Sequence, residues 1–156
     1  MTDYEIISRQ IRALSEGESN LIGILANAAA LLKDAGRWHW VGFYMAEKGM
    51  DEGGFLHLGP FQGPPACMRI PYGKGVCGTA WAKRGTVVVD DVEQFDGHIA
   101  CSALSRSEIV VPIIVDGRVA GVLDVDSADL CAFSDKDREG LESVCSALAE
   151  VIAVLT

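Results

Sequence analysis

Residues 107–127, SEIVVPIIVDGRVAGVLDVDS, contain two apolar runs on either side of an Asp-Gly pair. An Asp-Gly pair favours a two-residue type I′ turn, because both positions of that turn adopt a positive φ. Short apolar runs that flank such a turn are typical of β-strands. The segment therefore predicts a β-hairpin that turns at Asp116 and Gly117.

The chain before this hairpin predicts four further strands. They are expected in WHWVGFYMAE (38–47), GFLHLGPFQG (54–63), ACMRIPYG (66–73) and TVVVDD (86–91). A Gly-rich, acidic turn joins the first two strands into a second hairpin. Residues 92–107 have no regular period, so we expect a loop with helical turns that is free to carry functional residues.

Apolar residues at helical spacing predict two helices before the first strand, over 3–13 and over 19–35, the second ending at Gly36. The residues expected on their apolar sides are Ile6, Ile7, Ile11 and Leu14 in the first helix, and Leu21, Ile24, Leu25, Ala28 and Leu32 in the second. Two further helices follow, a short one ended by Gly85 and a last one with Ser134 as its N-cap.

Helices at both chain ends around an antiparallel sheet of about six strands predict an α+β fold, with these helices packed on one face of the sheet. The composition is that of one globular domain, with 156 residues of which 49% are hydrophobic and 22% charged. No repeat and no interdomain linker interrupts the chain, so residues 1–156 are expected to form a single domain.

The net charge of −9 argues against nucleic-acid and anionic-membrane partners, because both favour basic surfaces. The N-terminal residues MTDYEIISRQ lack the features of a signal peptide. No apolar run approaches the roughly 18 residues that a membrane-spanning helix needs. We therefore expect a cytoplasmic protein.

Acidic residues near the end of the predicted hairpin form a candidate binding site. Strand alternation places four residues of its second strand on one face: Ala120, Val122, Asp124 and Asp126. The turn places Glu108 opposite Val125, where strict alternation would point its side chain to the other face, but a bulge at Pro112 would reverse that alternation. Three carboxyl groups would then converge on an ammonium group or a metal, and the lack of well-spaced histidines favours the ammonium. Alternatively, the two aspartates only mark the exposed end of the strand.

The five cysteines match neither a disulfide framework nor a common zinc-ligand spacing. Cys101 lies in a polar, irregular segment near His98, so it is the better candidate for a nucleophilic thiol. Cys67 or Cys77 could resolve it to a disulfide, but both could equally be small buried residues.

Three further side chains are assigned structural roles. Cys145 fits the apolar stripe of the last helix, Cys131 is a loop residue without a role, and His98 is a turn residue rather than a general base. Trp40 and Tyr44 share one face of the first strand, where they pack in the core or line a pocket for a methylthio group.

Four motifs together resemble the free methionine-(R)-sulfoxide reductase family, whose members are built on a GAF domain. The motifs are GPFQG, IPYGKGVCGTAWA, DGHIACSALSRSEIVVPI and GVLDVDS. The resemblance extends from about Gly17 to the end of the last helix. One departure is Ser102, which stands where members of the family carry Asp.

The resemblance implies an activity and a role for each cysteine. Cys101 would attack the sulfoxide sulfur of free methionine-R-sulfoxide and retain a sulfenic acid after methionine leaves. Cys67 would be the main resolving cysteine, Cys77 a third redox thiol, and thioredoxin the reductant. No cofactor or metal is implied, and relatives form homodimers.

The resemblance also assigns the remaining residues of the site. The acidic residues around the substrate amine and sulfoxide would be Glu108, Asp124 and Asp126, with Glu108 or Asp124 as the proton donor. Trp40 and Tyr44 would form the aromatic side of the pocket. Two alternatives stay open: a GAF-type binding module or redox sensor without turnover, and a structural zinc protein that uses the three cysteines with His98.

Overall fold

The computed structural model describes residues 2–101 and 103–155, so the departure noted at Ser102 lies outside the described residues. The helices are α1 (Tyr4–Ser15), α2 (Leu21–Ala35), α3 (Gly75–Lys83) and α4 (Asp135–Leu155). The strands are β1 (Trp40–Ala46), β2 (Phe55–Gln62), β3 (Arg69–Pro71), β4 (Val87–Val89), β5 (Ser107–Val115) and β6 (Arg118–Ser127). One turn of 3-10 helix, Val92–Gln94, lies in the loop between β4 and β5. The predicted elements are therefore confirmed in number, type and order.

The six strands form one antiparallel sheet in the order β3-β2-β1-β6-β5-β4. The hairpin of β5 and β6 lies inside the sheet, because β6 also pairs with β1 and β5 also pairs with β4. Asp116 and Gly117 have φ angles of 50° and 77° at its turn, as a type I′ turn requires. The hairpin predicted from the Asp-Gly pair is confirmed.

Each face of the sheet has its own apolar cluster. Helices α1, α2 and α4 pack on one face, as predicted, and bury side chains such as Leu25, Leu141 and Leu148. Helix α3 packs on the opposite face around Trp81, a placement that the sequence did not specify. None of the described helices is both long and apolar enough to cross a membrane.

The predicted apolar side of α1 is only half correct. Ile7 and Ile11 are buried, whereas Ile6 is 47% and Leu14 51% exposed. The buried side also contains Ser8 and Ser15, so the packed face is rotated away from Ile6 and Leu14. In α2, by contrast, the predicted side is buried apart from Leu21, which packs at its margin.

The hairpin contains a bulge, but not at the predicted position. Pro112 pairs regularly with Val122, whereas the register shifts between Ile113 and Ile114, which leaves Ala120 of β6 unpaired. The prediction that Ala120 lies on the face of Val122 is also wrong: Val119 occupies that face instead. Glu108 consequently lies opposite Asp126 rather than Val125.

The helix ends follow local rules with one difference. At the start of α4, the Asp137 backbone N–H donates to Ser134 Oγ over 3.2 Å, which confirms Ser134 as the N-cap. At the end of α3, Arg84 rather than Gly85 adopts the left-handed conformation, with φ of 56°.

Candidate active site

A cavity of about 500 Å³, a volume that includes the solvent at its mouth, lies on the α3 face of the sheet. The sheet contributes its floor through β1, β5 and β6. Helix α3 forms one wall, and the irregular segments before β3 and before β5 form the rest. Seven of the eight residues predicted for the site line this cavity. The eighth, Cys67, is bonded to Cys101, which is one of the seven.

Three acidic side chains converge at the sheet wall of the cavity. Glu108, Asp124 and Asp126 are 6%, 6% and 8% exposed. Glu108 pairs with Asp126, and Asp124 is two residues away on the same face of β6. The predicted convergence of the three carboxyl groups is therefore found, and the reading that the aspartates mark an exposed strand end is wrong.

Burial controls the protonation of these acids. It raises the pKa of Glu108 to about 8, and the charge of Asp126 adds to that shift. Burial likewise raises the pKa values of Asp124 and Asp126, followed in each case by repulsion from a neighbouring carboxylate. None of the described residues that line the cavity is a lysine or an arginine. Burial and mutual repulsion thus favour protonated carboxyl groups in this cavity at neutral pH.

One carboxyl oxygen atom of Asp124, Oδ1, is buried without a hydrogen-bond donor among the described residues. The Cys77 thiol and the Glu108 carboxyl are nevertheless close enough to influence the pKa of Asp124. A buried acceptor without a donor is costly, unless a bound group supplies the donor. Within the cavity, an ammonium group fits that need.

The structure joins Cys67 and Cys101 in a disulfide with 5.6 Å between their Cα atoms. Cys101 lies in the loop before β5 and Cys67 in the segment before β3, so the bond links two irregular segments at the cavity. The residues alone left open whether Cys67 or Cys77 pairs with Cys101. In the oxidised protein the partner is Cys67.

Cys77 is a free, buried thiol in the first turn of α3. Burial raises its pKa, and the charges of Asp124 and Glu108 raise it further, so the thiol stays protonated at neutral pH. Cys145 lies on the opposite face of the sheet in the helical core, as predicted. Cys131 is exposed in the loop before α4.

The aromatic wall is formed by Trp40 and Tyr44 of β1, whose rings stack with their centroids 6.0 Å apart. The Phe61 ring also stacks on Trp40, with 5.3 Å between the ring centroids. The Trp40 indole Nε1–H donates to the Pro64 carbonyl oxygen over 2.9 Å, and the Tyr44 hydroxyl donates to the Cys67 carbonyl oxygen over 2.8 Å. Both pocket residues thus also contact the segment that carries Cys67.

His98 lies in the turn that was predicted, but its ring also faces the acids. Its Nε2 is 3.5 Å from Glu108 Oε1, and the side chain is 15% exposed. Burial lowers the pKa of His98, which makes the imidazole neutral near pH 7. The neutral His98 ring therefore lies beside Glu108 without supplying a compensating charge.

Sequence reasoning missed His39 and Ser105. His39 Nε2 is 3.2 Å from Ser105 Oγ, and the Ser105 hydroxyl lowers the pKa of Asp126 by hydrogen bonding to it. Ser105 lies in the irregular segment that was expected to carry functional residues. Neither the type nor the spacing of these two residues marks them as members of a site. Their roles arise from contacts between distant parts of the chain.

One group of side chains at the cavity has the spacing of metal ligands. Three ligand atoms, one each from Cys77, Glu108 and Asp124, lie within 4.8 Å of one another. A zinc ion held by the three cysteines with His98 does not fit this protein, because Cys67 and Cys101 have no thiolate to offer while they share a disulfide.

A curled antiparallel sheet with a ligand-sized cavity under α3 defines the class of this protein as a GAF domain. The family model described as "GAF domain" matches residues 18–153. A disulfide beside buried acids and stacked aromatics narrows the class to GAF domains with a thiol-redox pocket.

Comparisons with known proteins identify the particular branch. The chain is 45% identical to "Free methionine-R-sulfoxide reductase" of Escherichia coli, over 96% of this chain and 88% of that one. It is 44% identical to the protein of that name in Saccharomyces cerevisiae, over 84% and 75%. The crystal structure of free methionine-R-sulfoxide reductase from Neisseria meningitidis "in complex with its substrate" superposes with a TM-score of 0.90, at 49% identity over 97% and 89% of the two chains. This chain belongs to the free methionine-R-sulfoxide reductase family of GAF domains.

Proposed function

We propose that this protein reduces free methionine-R-sulfoxide to methionine and that Cys101 is its nucleophile. The observation that carries the proposal is the Cys67–Cys101 disulfide beside a cavity with three buried carboxyl groups and two stacked aromatic rings. The names of the E. coli and S. cerevisiae relatives support the substrate.

The cavity suits each part of the substrate. The unpartnered Asp124 oxygen and the neighbouring carboxyl groups of Glu108 and Asp126 bind the α-ammonium group. Trp40 and Tyr44 contact the methylthio end, where sulfur and methyl groups pack favourably against rings. A methionine residue within a peptide chain has its α-nitrogen in a peptide bond and lacks the ammonium group, so the cavity favours the free amino acid over such residues.

The first chemical step transfers the sulfoxide oxygen to Cys101. The Cys101 thiolate attacks the sulfoxide sulfur while a protonated carboxyl, Glu108 or Asp124, donates a proton to the oxygen. Both are suitable donors because burial raises their pKa values. The resulting hydroxyl group passes to the Cys101 sulfur as the new bond between the two sulfur atoms breaks. Methionine leaves as the thioether, and Cys101 is oxidised to the sulfenic acid.

The second step closes the disulfide and the third reopens it. The Cys67 thiol condenses with the sulfenic acid of Cys101, forms the S–S bond and releases water. Thioredoxin, as an external dithiol, reduces this bond and is itself oxidised, and Cys77 is the third redox thiol that can exchange with it. Because this cycle needs a reducing compartment, we place the protein in the cytoplasm. We further propose that it is a single GAF domain and, as the resemblance implies, a homodimer.

The test is thioredoxin-coupled turnover of free methionine sulfoxide, with the two sulfur epimers and N-acetylmethionine-R-sulfoxide measured separately. We expect turnover of the free R epimer. Turnover of the N-acetylated compound should be at least about 100-fold lower, because that compound cannot offer a charged ammonium group to the buried carboxyl groups. Cys101→Ser should show no turnover, because it lacks the nucleophile. Cys131→Ser is the matched control, because Cys131 is exposed and outside the cavity. Binding of the sulfoxide without turnover would favour a ligand-binding GAF module, and turnover that persists in Cys101→Ser would overturn the assignment of the nucleophile.

A further inference from the structure

We propose that Tyr44 is a positioning residue for the step that resolves the sulfenic acid, and that Trp40 supports it. This inference rests on the proposed function. The hydroxyl of Tyr44 would hold the main chain at Cys67, so that the Cys67 thiol faces Cys101 once methionine has left.

The segment that carries Cys67 has little regular structure of its own. Residues 63–68 lie between the end of β2 and the start of β3 and belong to neither strand. Pro64 and Pro65 have no backbone N–H group to donate. A backbone hydrogen bond from Leu58 to the Met68 carbonyl oxygen ties the segment to β2 at its end. At Cys67 itself, the main chain is held by a side chain.

Two side chains of β1 supply that attachment. Tyr44 donates to the Cys67 carbonyl oxygen over 2.8 Å, and Trp40 donates to the Pro64 carbonyl oxygen over 2.9 Å. Tyr44 is 1% and Trp40 3% exposed, and their rings stack on each other. Because β1 pairs with β2 and β6 inside the sheet, both donors start from a rigid base.

The attachment matters for one chemical step in particular. Condensation of Cys67–SH with Cys101–SOH forms one S–S bond and releases one water, and its rate depends on how often the two sulfur atoms meet. In the disulfide the two Cα atoms lie 5.6 Å apart, within the usual range for such bonds. A Cys67 main chain held near this position raises the effective concentration of the two sulfur atoms before they react. The attack of Cys101 on the substrate uses a different segment, so it does not need the carbonyl oxygen of Cys67 to be held.

Tyr44→Phe tests this division, because it keeps the ring that lines the cavity and removes the hydroxyl. The reduced protein is mixed with one equivalent of free methionine-R-sulfoxide without a reductant. Methionine is quantified over time, Cys67–Cys101 disulfide is followed by peptide mass spectrometry, and sulfenic acid is trapped with dimedone. We expect disulfide formation to slow by roughly threefold to tenfold, the range set by one net hydrogen bond, and dimedone labelling of Cys101 to increase. Methionine formation should change less.

Tyr72→Phe is the matched control, because it removes a tyrosine hydroxyl on the same face of the sheet, where the Tyr72 ring packs edge-on against Trp81. It should leave both rates unchanged. Trp40→Phe should slow disulfide formation less than Tyr44→Phe, since Pro64 is farther along the chain from Cys67. Thermal unfolding of the reduced variants separates positioning from a general loss of stability.

Two results would overturn the inference. In one, Tyr44→Phe forms the disulfide as fast as the unmodified protein; in the other, it slows methionine formation and disulfide formation by the same factor, as a purely structural or substrate-binding role predicts. If the unmodified protein releases no methionine, the proposed function itself fails, so the two failures are distinguishable.

Discussion

At the residue scale, the central feature is the burial of three carboxyl groups in a cavity whose described lining residues include no lysine or arginine. An ionised carboxylate in such a site is unfavourable, so the group either keeps a proton or binds a cation. Burial raises the pKa values of Glu108, Asp124 and Asp126, which favours the protonated form of each. In the proposed function, a bound ammonium group would allow one carboxyl to ionise while another still donates its proton.

The raised pKa of Glu108 predicts a pH-dependent stability. Its pKa of about 8 in the folded protein exceeds the ordinary value of 4.5, so the folded state binds more protons between these pH values than the unfolded state does. Stability should therefore fall as the pH rises from about 4.5 to about 8. The expected size is on the order of 1 kcal/mol for each unit by which the two pKa values differ. Urea unfolding at a series of pH values measures it.

Glu108→Gln provides the comparison, because the amide keeps the shape and cannot titrate. Its free energy of unfolding should fall less steeply over the same pH range, with Asp124 and Asp126 responsible for the remaining slope. Glu52→Gln, at an exposed position, should retain the slope of the unmodified protein. Equal slopes in Glu108→Gln and the unmodified protein would show that Glu108 is ionised in the folded state.

Which of these residues the sequence predicts depends on how local their geometry is. Asp124 and Asp126 are two apart on one strand, so alternation places them together without knowledge of the fold. The choice of Cys67 over Cys77 is not local: it depends on Cys77 being buried in α3 while Cys67 and Cys101 lie on facing irregular segments. The contact between His39 and Ser105 likewise joins residues 66 positions apart.

At the scale of the elements, the bulge in β6 sets the geometry of the acidic site. The extra residue near the turn shifts the pairing by one, which puts Glu108 opposite Asp126. The sequence indicates that a reversal of side-chain direction is needed but does not locate it. Next to the unpaired Ala120, β1 approaches β6 closely, because a Cβ atom at Gly121 would lie 2.7 Å from the Tyr44 carbonyl oxygen.

This close approach predicts that Gly121→Ala is destabilising. The added methyl group meets the backbone of Tyr44 and the side chain of Met45, and the backbone oxygen cannot move without shifting β1. We expect a loss of about 1–3 kcal/mol in the free energy of unfolding, the usual cost of overpacking. Gly85→Ala is the control, because the nearest atom to its added carbon is 3.9 Å away. Similar stabilities of the two variants in urea would mean that β1 and β6 can separate at little cost.

At the scale of the whole molecule, the two faces of the sheet differ: one carries the larger apolar core and the other carries the candidate site. Helices α1, α2 and α4 bury the larger apolar cluster, and the cavity lies on the other side with α3. The pattern of apolar residues predicts the first face well, since amphipathic helices are local features. It does not predict the second, where α3 and two irregular segments are held by contacts that span the chain.

The disulfide links the ends of the part of the chain that supplies α3 and the edge strands β3 and β4. The 34-residue separation between Cys67 and Cys101 spans β3, α3 and β4, so closing this bond restricts that part of the chain in the unfolded state. The chain-entropy relation gives about 3–4 kcal/mol of stabilisation for a loop of this length. The oxidised protein should therefore have a higher free energy of unfolding than the reduced protein, whose cavity must admit substrate.

Urea unfolding of the protein with and without a thiol reductant measures this difference. Cys131→Ser should show the same dependence on redox state, because Cys131 is exposed and outside the bond. Cys67→Ser should unfold alike under both conditions, since it cannot close the loop. Equal stability of the oxidised and reduced unmodified protein would mean that strain in the folded state offsets the entropy gained.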